Sequence, residues 1–119
     1  MFKNLVLVGL GGAIGSMLRY TVGYFLKSNF PLSTLIVNIT GSMVIGIVIG
    51  LSIKDVNFSL NWKLFLATGI CGGFTTFSAL SMENLQMLQN GKYLLAISYT
   101  AASIVFGIAA AWLGFKLAN

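Results

Sequence analysis

The sequence predicts an all-α integral membrane protein of four transmembrane helices, with a break in the third. Of its 119 residues, 57% are hydrophobic and 8% charged, whereas a soluble domain is roughly a quarter charged. The apolar residues form four stretches, at about 4–26, 32–53, 63–89 and 93–115. Each can cross a hydrocarbon core of ~30 Å, which takes ~20 helical residues. The third stretch contains Thr68-Gly69-Ile70-Cys71-Gly72-Gly73-Phe74-Thr75-Thr76-Phe77-Ser78-Ala79-Leu80-Ser81. Adjacent glycines followed by β-branched threonines make a weak helix there. Backbone broken at membrane depth persists only where protein or a wet cavity satisfies its freed polar groups. The length fits one domain over residues 1–119.

Composition also removes chemistry. The chain has no histidine, one cysteine (Cys71), and two acids, Asp55 and Glu83. A Ser/His/Asp triad or a His/Cys metal cluster cannot be assembled, and two acids do not furnish a dedicated carboxylate-pair or Mg²⁺ enzyme. An enzyme is not expected. The formal charge of +5 comes from bases spread singly along the chain, which reads as membrane flanking and not as a nucleic-acid patch.

The first span follows Met1-Phe2-Lys3. Residues 5–18 mimic a signal peptide, but the apolar pattern runs past Arg19 to Leu26, so a retained span is expected. Its glycines, with Gly11 and Gly15 as a G-x-x-x-G, suit close approach of another helix. Arg19 either snorkels to a headgroup or stands as a cation beside an aqueous vestibule. A turn, Lys27-Ser28-Asn29-Phe30-Pro31, precedes the second span, and Pro31 suits a helix start. In that span Asn38 needs a hydrogen-bond partner. The residues alone leave open whether it binds a neighbouring helix or faces a pore.

Residues 54–61 read as an interfacial loop, with Trp62 and Lys63 marking the next boundary. Past the glycines and threonines, Phe77, Leu80, Asn84, Met87 and Leu88 resume a three-to-four spacing, with Ser78, Ser81 and Leu85 on another strip. Glu83 is read as solvated or hydrogen-bonded, with a gating role as the alternative. Asn90-Gly91-Lys92 makes a C-cap and turn. The fourth span ends at Trp112 and Lys116 and carries Tyr99, Ser103 and Gly107 on one face. Alternating spans put Lys3, Lys54, Lys63 and Lys116 on one side, and Lys27 and Lys92 on the other, with Arg19 nearby. So slight a bias lets a short chain insert both ways and pair as an antiparallel dimer.

The run Gly72-Gly73-Phe74-Thr75-Thr76-Phe77-Ser78, together with Gly11-Gly12-Ala13-Ile14-Gly15 leading to Arg19-Tyr20 and with Asn38-Ile39-Thr40-Gly41-Ser42, resembles the CrcB/Fluc fluoride channels. The likeness covers the whole chain. It implies a dual-topology dimer with two fluoride paths, in the cell's inner membrane, passively exporting fluoride and lowering its toxicity. It implies a structural Na⁺ at the dimer centre, held by backbone carbonyls at Gly72 and Thr75. It makes Asn38 the pore asparagine, Arg19 the vestibule arginine, and Tyr99 and Ser103 the polar positions of the fourth span. One position departs from the family pattern. A second phenylalanine usually follows the first by three residues, and here Leu80 stands there.

Fluoride holds water tightly, so a path for it must offer strong donors in exchange. Candidates are the Asn38 amide, the hydroxyls of Thr76, Ser78, Ser81, Tyr99 and Ser103, and the positive ring edge of Phe77. The main rival is a small four-helix proton-coupled multidrug exporter, which needs an acid deep in a span. Here the ionised residue of the first span is basic. A further rival is a non-conducting partner subunit of a two-chain channel, with Leu80 as its motive.

Overall fold

The computed structural model describes residues 1–27, 30–55 and 57–119. Ser28 and Asn29 of the expected first turn, and Val56 of the loop after the second span, lie outside them. Helix α1 spans Phe2–Phe25 and α2 spans Leu32–Lys54. Helix α3 covers residues 60–74 in three joined pieces, Leu60–Lys63, a π-helical turn set Leu64–Cys71, and Gly72–Phe74. Helix α4 spans Phe77–Gln89 and α5 spans Tyr93–Ala118. Four segments, Phe2–Phe25, Leu32–Lys54, Leu60–Gln89 and Tyr93–Ala118, are long and apolar enough to cross a membrane. The chain is a multi-pass membrane protein.

Local chemistry sets the ends. The Ser59 hydroxyl accepts the Trp62 N–H at 3.2 Å, so helix begins at Leu60, earlier than the composition of the loop suggests. Gly91 has φ 75°, a left-handed conformation that glycine adopts without strain, and it turns the chain from α4 into α5. Tyr24 and Trp112 receive the ammonium groups of Lys27 and Lys116 over their rings, at 5.2 and 5.6 Å. Such pairs suit the boundary between lipid and water.

Packing follows small residues. Gly11 faces Phe65 and Gly69, Gly15 faces Ile70 and Phe74, and Gly73 faces Gly12. Contacts therefore advance together along α1 and α3, so the two run parallel. In the second pair Gly46 faces Ala111, Gly50 faces Phe115, and Gly114 faces Met43 and Ile47. Helices α2 and α5 are parallel in the same way. Where lipid is as apolar as a side chain, such close backbone approach gives the van der Waals contact that holds helices together. Large apolar side chains cover the outside, Leu94 at 78% exposure and Ile108 at 67% among them. That arrangement suits lipid as solvent.

Within the third span the polypeptide leaves helical geometry at Thr75 and Thr76. Thr75 has φ −80° and ψ 155°, and Thr76 has φ −150° and ψ 121°. Both are extended. Gly72 is helical, at φ −62° and ψ −39°. The extended backbone thus falls on the threonines, whose β-branched side chains favour it. Helical Gly73 just before them lets α3 meet α1 at Gly12.

Candidate functional site

The two extended residues separate the carbonyl end of α3 from the amide end of α4. A helix C-terminus carries partial negative charge and an N-terminus partial positive charge. One short stretch therefore offers acceptors that suit a cation and donors that suit an anion. Side chains from α1 and α2 take several of its groups. Arg19 Nε donates to the Gly73 carbonyl at 3.2 Å. Asn38 Nδ2 donates to the Thr76 carbonyl at 3.1 Å, and the Thr76 N–H donates to Asn38 Oδ1 at 2.8 Å. The Thr75 N–H and hydroxyl both donate to the Cys71 carbonyl, at 2.9 and 2.8 Å. The Thr76 hydroxyl caps α4 by accepting the Ala79 N–H at 3.2 Å, and it lies 3.2 Å from the Ser78 hydroxyl.

Two clefts, each of about 370 Å³, flank this stretch, and Thr76 borders both. The first is lined by Arg19, Tyr20, Tyr24, Lys27, Thr34 and Thr76, among others. Two cations, and no carboxylate among the described lining residues, make it electropositive. The second includes Asn38, Gly72, Thr75, Thr76, Phe77 and Leu80. Phe77 is 79% exposed, and Gly72 and Ser78 are exposed as well. Leu80 also packs against the cluster of Met87, Ala96 and Tyr99. Gly41 makes room at this point, since a Cβ there would strike the Thr75 methyl.

Other expected residues lie elsewhere. Tyr99 is 1% exposed and its hydroxyl donates to Glu83 Oε1 at 2.8 Å. Ser103 donates to the Tyr99 carbonyl at 2.8 Å, within its own helix. Ser81 is exposed. None of these three lines the cleft beside Phe77. Among the described residues no three of His, Cys, Asp and Glu gather.

Glu83 has a larger structural part than its sequence position suggests. Its second oxygen accepts the Thr34 hydroxyl at 2.7 Å, so one carboxylate ties α4 to α2 and α5. The sequence signal was a lone acid near the end of a span, and its acceptor capacity needed donors on other helices. A second such link joins the Thr100 hydroxyl to Asn84 Oδ1 at 2.8 Å. Glu83→Ala would leave two buried hydroxyls, Thr34 and Tyr99, without their acceptor, at about 1–3 kcal/mol. Glu83→Gln should cost less, because its amide oxygen still accepts from Tyr99 and its NH₂ can donate to Thr34. Unfolding midpoints of the two variants in detergent check this order.

A protein-family model described as CrcB-like protein, Camphor Resistance (CrcB), matches residues 6–115. The chain is 46% identical to a protein of Azobacteroides pseudotrichonymphae genomovar. CFP2 named fluoride-specific ion channel FluC, over 98% of this chain and 97% of that one. It is 41% identical to fluoride-specific ion channel FluC 1 of Listeria monocytogenes serotype 4b, over 98% of both. It is 40% identical to FluC of Flavobacterium psychrophilum, again over 98% of both.

Proposed function

Since the chain belongs to the CrcB family, we propose that it is a channel through which fluoride leaves the cytoplasm passively. The observation that carries this reading is the stretch at Thr75 and Thr76. It brings a helix N-terminus, the Thr76 and Ser78 hydroxyls, the Phe77 ring and the Asn38 amide to one place. An anion leaving water would find neutral donors there, with the basic residues Arg19 and Lys27 set to one side in the first cleft. Neutral donors exchange for water and still release the ion, which a buried cation would hold too tightly. The inside-negative potential then drives the anion outward, with no chemical coupling required.

The exposed Gly72, Phe77 and Ser78 support an antiparallel dimer in which this face meets its inverted copy. The near balance of basic residues between the two ends supports insertion in both orientations. The residues there fit a Na⁺ ion. Gly72 and Thr75 line the same cleft at the carbonyl end of α3. Neutral carbonyl oxygens at an unwound helix suit a monovalent hard cation. Such an ion, when bound, supplies positive charge that offsets the partial negative charges of two facing helix ends. The second reading, a non-conducting partner subunit, draws on Leu80, which brings an aliphatic side chain to the cleft.

Liposomes holding this purified chain alone test the reading. With valinomycin and a K⁺ gradient, and no pH gradient, fluoride should leave far faster than from protein-free vesicles. Replacing Na⁺ by N-methylglucamine should lower the thermal stability of the chain in detergent as well as the flux. Absence of fluoride efflux, or proton-coupled efflux of an aromatic cation in its place, would refute it.

A further inference from the structure

We propose that Asn38 is a positioning residue, whose carboxamide holds the Thr75-Thr76 backbone extended and so sets where the groups of the cleft stand. Its consequence for conduction rests on the fluoride reading above. The proposal itself rests on a pairing. Both main-chain groups of Thr76 are taken by one side chain, Nδ2 to the carbonyl at 3.1 Å and the N–H to Oδ1 at 2.8 Å. This is the pattern by which one strand residue pairs with its opposite in an antiparallel ladder. An amide side chain is the group that reproduces it, having one donor and one acceptor side by side. Lipid offers these two groups no partner, and leaving them unpaired is costly.

The pairing has reach beyond Thr76. On the near side, Gly73 is tied to α1 through Arg19, and Thr75 closes back on Cys71. On the far side, the Thr76 hydroxyl caps α4 at Ala79 and meets Ser78. With Thr76 fixed from α2, the start of α4 and the Phe77 ring are fixed with it. Asn38 keeps one amide hydrogen beyond the pair, so positioning and donation to an ion are compatible. They are separable by experiment, because positioning operates with no ion present.

Amide hydrogen exchange at Thr76, measured by NMR in fluoride-free detergent micelles, is the test. In Asn38→Ala the Thr76 amide should exchange roughly tenfold faster or more. Amides near Val48 and Ala110, in the buried α2–α5 seam, should keep their wild-type rates. Asn38→Asp is isosteric and keeps the acceptor for the Thr76 N–H. That amide should stay within about twofold of wild type, while fluoride efflux falls because an ionised carboxylate offers the Thr76 carbonyl no donor and sets a negative charge beside the path. Unchanged Thr76 exchange in Asn38→Ala would overturn the proposal, and so would exchange in Asn38→Asp as fast as in Asn38→Ala. If Asn38→Ala does not fold, Asn38→Leu, of similar shape and without polar atoms, takes its place in the same comparison. A wild-type chain that passes no fluoride would refute the conduction reading and leave the exchange data to judge the positioning role.

Discussion

Gly15→Ala should cost the protein much of its stability, while Gly12→Ala, three residues away, should be tolerated. A Cβ at Gly15 would meet the Ile70 carbonyl oxygen and stand 2.7 Å from the Phe74 nitrogen. Both are main-chain atoms, with no flexible end to swing aside. The α1–α3 seam would have to open along its length, because Gly11 is equally tight against the Phe65 carbonyl and Gly69. Overpacking of this kind costs about 1–3 kcal/mol. At Gly12 nothing lies within 4 Å of the added carbon, and alanine gains about 1 kcal/mol of helix propensity over glycine. Unfolding midpoints in detergent should therefore move in opposite directions. Because the displaced backbone leads into Thr75 and Thr76, whatever Gly15→Ala folds should also conduct poorly.

The G-x-x-x-G of Gly11 and Gly15 was legible as a close-packing face, since a helix places those residues one turn apart. Its partner was not, because nothing local in α1 names residues 65–74. The four spans were legible from length and polarity. The π-helical turns at Leu64–Cys71 had no signal in residue type. Helix propensity pointed to the run of two glycines and two threonines, Gly72 to Thr76, as the weak place. Within that run the extended residues are Thr75 and Thr76, while Gly72 and Gly73 stay helical, Gly73 packed on Gly12 and Thr76 paired with Asn38. Asn38 was legible as a residue that needs a partner, and the partner lies 38 positions away in sequence. Tyr99 and Ser103 were legible as sharing a face. The carboxylate that takes the Tyr99 hydroxyl comes from α4, and spacing within α5 cannot reveal it.

Phe77→Ile should slow fluoride permeation strongly and leave the fold intact. Phe77 is the first residue of α4 and is 79% exposed in the single chain, so the fold of each subunit draws little on it. Isoleucine fills much of the same space and tolerates the first helical turn. It lacks the positive edge of the aromatic ring, which attracts an anion passing in the plane of the ring. Aromatic pairs that use the same edge charge gain about 0.5–1.5 kcal/mol, a scale taken over for the ion, and a barrier raised by about 1.4 kcal/mol slows passage tenfold. The neighbouring donors, Thr76, Ser78 and Asn38, would remain.

The initial rate of valinomycin-driven fluoride efflux should be compared for wild type and Phe77→Ile, at equal amounts of incorporated protein and with equal unfolding midpoints. If the ion passes where α3 gives way to α4, the variant is about tenfold slower. Equal rates would mean that fluoride does not pass there.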